Sequence, residues 1–249
     1  MNAPQELWHP APEHPVIDHE AVHVWRADLN QEWELVRRLW TGLAPYEQKK
    51  ANRFYLKSDR IHFIVARGAL RDILSHYLDI SPRNIEFSYG PFGKPDLLDR
   101  SAGNHLRFNV SHSNGIAVYA IARNREIGVD LELIREEAAS LDIADRFFSP
   151  LEVLALREIP RELQSVAFFN CWTHKEAYVK ARGEGIPYGL GRFTVSLAPG
   201  EPVAFRSSEE RPEDMGNWLL MELPVVQGYA SALVVRRPVS GVNFWRWSP

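Results

Sequence analysis

In the stretch "CWTHKEAYVKARGEG", residues 171–185, Glu176 and Lys180 stand four apart, so a helix presents an acid and a base on one face. In "GVDLELI", residues 128–134, Asp130 and Glu132 stand two apart, so a strand points both carboxylates to one side and Val129, Leu131 and Leu133 to the other. Each pattern has an ordinary alternative. A Glu four residues before a Lys stabilises an exposed helix by roughly 0.2–0.5 kcal/mol, and a D-x-E pair is common on the solvated face of an edge strand. Neighbouring carboxylates repel, and each raises the pKa of the other unless a cation neutralises them. If the two elements pack together, Glu176 joins Asp130 and Glu132, and Lys180 sits beside all three. A hard all-oxygen donor set of this kind suits Mg²⁺, with Mn²⁺ as an alternative, and a metal held there implies a polyphosphate ligand.

Matching basic groups precede these segments. Lys49, Lys50 and Arg53 lie in "EQKKANR", and Lys94 with Pro95 closes "GPFGKP", whose glycines let backbone approach a ligand. "NVSHSNG" adds Ser111 and His112, a hydroxyl and an imidazole that can meet a phosphate oxygen. The ordinary readings are a solvated face for the lysines and a local turn hydrogen bond for His112. Arg60, Arg67 and Arg71 read mainly as structural.

The elements that must position these residues fall into two similar runs. "AVHVWRADL" reads as a strand, a helix begins near Glu32, and a long helical pattern over "EQKKANRFYLKSDRIHFIVARGALRDILSHYL" runs through Ile64, Leu70, Ile73 and Leu74. A strand "NIEFSYG", a turn "PFGKP" and a hairpin about Ser-Asn-Gly follow. The second run has the strand "EIGVDLELI", helical segments to Gly183, the strand "GRFTVSL" and a hairpin in "NWLLMELPVVQGYASALVVRR". The expected fold class is α+β: two similar α/β halves in a pseudo-twofold arrangement. The halves span 21–124 and 125–249, after an extended N-terminal arm over 1–20 with four prolines in its first fifteen residues. A duplicated fold of this kind keeps its cleft between the halves, where both can contribute ligands. A pseudodimer makes a monomer the expectation.

Composition limits the alternatives. With 249 residues, 45% hydrophobic and 24% charged, the chain can bury a substantial core. A net charge of −3 gives no basic field for nucleic acid or anionic lipid, so neither is an expected partner. The single cysteine, Cys171, forms no intrachain disulfide, which fits a reducing cytoplasm. No stretch has the roughly 18 apolar residues of a membrane span, and the N-terminus has no apolar signal core.

"FGKP", "FNVSHS", "GVDLE", "RFFSPLE" and "CWTHKEAYVKARGEGI", in this order over roughly residues 45–197, resemble the 4′-phosphopantetheinyl transferases of the broad-specificity, pseudodimeric class that activates surfactin synthetase and related megasynthases. The resemblance implies transfer of 4′-phosphopantetheine from coenzyme A to a serine of an apo acyl, peptidyl or aryl carrier protein, with release of 3′,5′-ADP. It makes Asp130, Glu132 and Glu176 the Mg²⁺ ligands and puts Lys180 at the scissile phosphate. Glu176, Lys180 or a water on the metal is then the base. It also places Lys50, Ser111 and His112 at the 3′-phosphate and Lys94 with Pro95 at the adenine side. Glu47 departs from the pattern, standing where some members carry another phosphate-binding lysine. The carrier is expected to dock beside the second half, near Arg135 and Arg146, with Phe147, Phe148 and Leu151 as apolar anchors or core residues. A silent coenzyme A-binding module and a hydrolase acting on holo carriers are the competing functions.

Overall fold

The structure, a computed structural model, describes residues 7–98, 105–185, 189–208 and 211–249; of the arm, residues 1–6 lie outside the described residues. The arm holds β1 (His9–Pro10), and the first half holds β2 (Ala21–Asp28), α1 (Trp33–Gly42), α2 (Pro45–Ala51), α3 (Lys57–Leu78), β3 (Phe87–Tyr89), β4 (Pro95–Leu97), β5 (Leu106–Ser113) and β6 (Ile116–Arg123). The second holds β7 (Ile127–Leu133), α4 (Leu141–Phe147), α5 (Pro150–Glu158), α6 (Arg161–Arg182), β8 (Phe193–Val195), β9 (Phe205–Ser208), β10 (Trp218–Glu222), β11 (Tyr229–Arg236) and β12 (Gly241–Arg246). Among the described residues no helix is long and apolar enough to cross a membrane.

A five-stranded sheet has the order β1-β12-β2-β6-β5 and a three-stranded sheet the order β10-β11-β7, while β3 with β4 and β8 with β9 form two-stranded sheets. Alternation along the strands divides the apolar side chains between layers. Trp25 and Ala27 of β2 pack with Leu70 and Ile73 of α3, whereas Val22 and Val24 meet Val129, Leu131, Leu233 and Val235 of the other sheet. The far face of that second sheet, through Ala230, Ala232 and Val234, packs against Ala177 and Ala181 of α6. The result is helix, sheet, sheet, helix, with a shared core between the sheets. The α+β architecture of two similar halves is therefore realised.

Local signals account for several boundaries. The β5–β6 hairpin turns through Asn114 and Gly115, both at positive φ (41° and 86°), as a two-residue hairpin requires. In "SPLE", Ser149 and Glu152 cap each other and Pro150 opens α5. The long helical pattern of the first half is two helices rather than one. Phe54, Tyr55 and Leu56 between them are exposed, so that segment has no buried face to hold it helical. Part of the arm is anchored: Trp8 and Ile17 are buried, and β1 pairs with β12. The last strand, β12, returns to pair in parallel with β2 in the first sheet.

Leu131 is 0% exposed in the core between the sheets, on the side of β7 away from Asp130. Leu131→Asp is expected to lower stability by several kcal/mol, because it buries an unpaired carboxylate. A thermal melt unchanged from the parent would show that the strand faces are reversed.

Candidate active site

Helix α6 brings its acid and base to β7 because the two backbones lie unusually close. A Cβ built on Gly128 would overlap the Ala177 carbonyl oxygen and the Ala181 amide. Only glycine fits there. Gly128→Ala must push α6 away from β7, and overpacking of this type costs roughly 1–3 kcal/mol. A displacement of about 1 Å at a catalytic group lowers turnover roughly a hundredfold. The expected result is a lower melting temperature together with a lower kcat, read by calorimetry and steady-state transfer kinetics.

With α6 in place, Lys180 reaches across to β7 and β5. Its Nζ donates to Asp130 Oδ1 at 2.5 Å, Ser111 Oγ at 3.1 Å and the Val129 carbonyl at 3.3 Å. Lys180 thus pairs with Asp130 fifty residues away, and no Glu176–Lys180 ion pair forms among the described residues. Asp130 is 3% exposed, so the D-x-E pair is no solvated edge. The open edge of β7 is covered by β5, whose alternate residues stitch the halves together. Asn109 Oδ1 accepts from Val129 N (2.8 Å), Ser111 Oγ donates to Asp130 Oδ1 (2.9 Å), and Ser113 Oγ donates to Glu132 Oε2 (3.0 Å). Asn109 and Ser113 were absent from the expected site. Their signal was present in "FNVSHS", where Asn109, Ser111 and Ser113 recur with period two and so share one face of the strand.

Asp130, Glu132 and Glu176 act on one another through space. Burial raises the Glu176 carboxyl, and Asp130 and Glu132 push it further; burial and then Asp130 do the same to Glu132. Asp130 Oδ2 and Glu176 Oε1 are buried without a hydrogen-bond partner. Among the described residues no three His, Cys, Asp or Glu side chains are yet drawn into a ligand set. The ammonium of Lys180 stands on Asp130 instead.

A cleft of about 440 Å³ opens beside these residues, lined by Phe92, Lys94, Pro95, Asn109, Glu176 and Lys180 among others. Lys94 lies in its wall, but its Nζ is engaged by the backbone. It donates to the carbonyls of Ile127 (2.9 Å), Lys180 (2.6 Å) and Ala181 (3.2 Å), tying the "FGKP" loop to the end of α6, and burial brings its pKa down to about 8. His112 has a lowered pKa, first from desolvation and then from Lys180, His62 and Lys50, which marks a local concentration of positive charge. His62, which also escaped the sequence reading, is held by Asn30 at 3.0 Å. Lys50 is exposed, with its Nζ 5.3 Å from the Phe63 ring centre. The exposed side chain of Arg53 makes no bond to this group among the described residues.

Glu47 is a structural anchor. It is buried, accepts from Arg67 and Arg71 at 2.7 Å each, and caps α2 through Ala44 N. Lys175, next to Glu176, has the same kind of role: its Nζ meets Glu152 Oε2 at 2.8 Å and the carbonyls of Leu190 and Phe193. Of the surface residues, Phe148 is core, Phe147 packs edge-on against Trp172 beneath Arg146, and Leu151 is 62% exposed.

Two strand-and-helix halves thus meet over an acidic seam, with basic groups beside a cleft. Residues 126–234 match the model of the 4′-phosphopantetheinyl transferase superfamily, and residues 24–124 match that of the 4′-phosphopantetheinyl transferase N-terminal region. The chain is similar to the 4′-phosphopantetheinyl transferase HetI of Nostoc sp., with 37% identity over 243 residues, covering 98% of this chain and 99% of that protein. It is also similar to the 4′-phosphopantetheinyl transferase Sfp of Bacillus subtilis, with 28% identity over 201 residues, covering 81% and 85% of the two chains. The chain belongs to the 4′-phosphopantetheinyl transferases, in their broad-specificity, two-half class.

Proposed function

We propose that the cleft between the "FGKP" loop, β5 and α6 takes coenzyme A, and that Asp130, Glu132 and Glu176 hold a divalent cation, Mg²⁺ or Mn²⁺, at its diphosphate. The observation that carries this reading is the pair of buried, unpartnered carboxylate oxygens, Asp130 Oδ2 and Glu176 Oε1, in an all-oxygen donor set. When bound, the cation supplies charge neutralisation on the diphosphate. Lys180, now on Asp130, provides a flexible ammonium for a phosphate oxygen, and Lys50 and His112 face the 3′-phosphate, whereas Ser111, expected there too, has its hydroxyl on Asp130. The serine hydroxyl of an apo acyl, peptidyl or aryl carrier protein attacks the phosphorus bearing pantetheine. The new Ser O–P bond forms, the P–O bond to 3′,5′-ADP breaks, and the serine proton passes to a carboxylate oxygen of Glu176. Incubation with coenzyme A, Mg²⁺ and apo carrier is expected to add one phosphopantetheinyl group to the carrier, read by intact mass. Binding of coenzyme A without that gain would leave a silent module, and loss of the group from holo carrier would reveal a hydrolase.

The carrier meets the second half beside α4 and α5, where Arg146 and Leu151 are exposed and Phe147 lies beneath Arg146. Arg135 is exposed on the approach from β7. Rim charges act mainly on the encounter rate and are screened by salt. Arg146→Glu is therefore expected to raise KM for the carrier severalfold at low salt and less at high salt, with KM for coenzyme A unchanged. A shift in the coenzyme A KM alone would place Arg146 at the nucleotide.

A further inference from the structure

A second concave site lies between α1 and α3 and shares no lining residue with the cleft described above. Its volume is about 520 Å³, in the range of small-molecule sites. Buried Val36 and Ile64 line it. Trp33 and Trp40, seven residues apart on one face of α1, line it too, and Trp33 is 60% exposed, a large aromatic surface left open to water.

Three cations stand among these apolar groups. Lys57 Nζ lies 6.0 Å from the Trp33 ring centre and Arg60 Cζ 5.4 Å from that of Trp40, with Arg37 between the two tryptophans in sequence. A ring face orients a cation without neutralising it. No carboxylate lines the groove, and Arg37, Lys57 and Arg60 form no ion pair among the described residues.

We propose that this groove binds an amphipathic carboxylate, an acyl-type anion whose hydrocarbon body lies between Trp33 and Trp40 and whose head meets Arg37, Lys57 and Arg60. A small inorganic anion leaves the tryptophans unused, and a neutral hydrocarbon leaves the cations unanswered. The groove follows the ten residues of α1, about 15 Å, a length that suits an extended hydrocarbon chain.

The test is a titration of the full-length protein with linear carboxylates of increasing length, each below its micelle concentration, followed by calorimetry and tryptophan emission. Affinity is expected to rise roughly fourfold per added methylene, as burial of each CH₂ requires, and the alcohol of equal length is expected to bind at least tenfold more weakly. Lys57→Gln with Arg60→Gln should remove that preference for the carboxylate while leaving phosphopantetheinyl transfer and the melting temperature unchanged. Trp33→Phe with Trp40→Phe should abolish the emission change. Absence of saturable binding, equal affinity for the alcohol, or unaltered carboxylate affinity in the Lys57/Arg60 variant would each overturn the proposal. Saturable binding of an acidic helical peptide in place of any carboxylate would also overturn it, assigning the groove to a protein partner.

Discussion

Asp130→Ala and Glu132→Ala are each expected to lower the rate of phosphopantetheinyl transfer by about a thousandfold or more while leaving the fold intact. On the proposed assignment, neutralising the diphosphate at this seam contributes several kcal/mol to the transition state, and about 4 kcal/mol corresponds to roughly that factor. The two residues share the face of β7 that looks toward α6, and a serine of β5 orients each one. Removing Asp130 also removes the partner of Lys180, leaving that ammonium near Ser111 and the Val129 carbonyl but without its anion. The Lys180 side chain is partly solvated, so the accompanying loss of stability is modest. The measurement is the initial rate by intact mass of the carrier at saturating Mg²⁺ and coenzyme A, with circular dichroism as the folding control. Near-normal rates for both variants would remove Asp130 and Glu132 from the site.

The largest stability effect is expected one residue before Glu176. Lys175 and Glu152 form an ion pair whose side chains are both 0% exposed. Its remaining hydrogen-bonding capacity is filled: Glu152 accepts from the amides of Ser149 and Val195, and Lys175 donates to the carbonyls of Leu190 and Phe193. Removing one partner leaves a buried charge uncompensated, which costs roughly 3–5 kcal/mol. In a chain of this size that corresponds to a fall in melting temperature of about 10 °C or more. Glu152→Ala and Lys175→Ala should both show it, while replacement of the pair by Met and Leu recovers much of the loss. If Lys175→Ala melts like the parent yet cannot transfer the group, Lys175 acts in catalysis and its structural assignment fails.

These two experiments separate neighbours that the sequence presents as one acid–base cluster. Within "HKEAYVK", helical geometry puts Glu176 and Lys180 on a common face, and it puts Lys175 about 100° away from Glu176. That much is local and follows from spacing. The burial of Lys175 against Glu152 depends on α5, and the meeting of Lys180 with Asp130 depends on a strand 50 residues earlier.

Lys94 illustrates the limit most directly. Its place after two glycines made it a natural ligand for an anion, yet its ammonium closes the carbonyl end of α6, 86 residues away. Glu47, in a position that looked like a lost phosphate contact, instead holds Arg67 and Arg71 inside the first half. The strand β12 escaped the reading for a similar reason. It pairs in parallel with β2 from the opposite end of the chain, and parallel pairing leaves no hairpin turn to announce it.

The sequence by itself determined the side-chain periods, the capping box of α5, the hairpin turn at Asn114–Gly115 and the faces of β7, because each depends on backbone geometry within a few residues. Its motifs also marked the family. Tertiary structure alone decided which charges meet. Whether an ammonium meets a carboxylate, a carbonyl or a phosphate depends on which of them packing brings within reach, and here that packing turns on the close approach of α6 to Gly128.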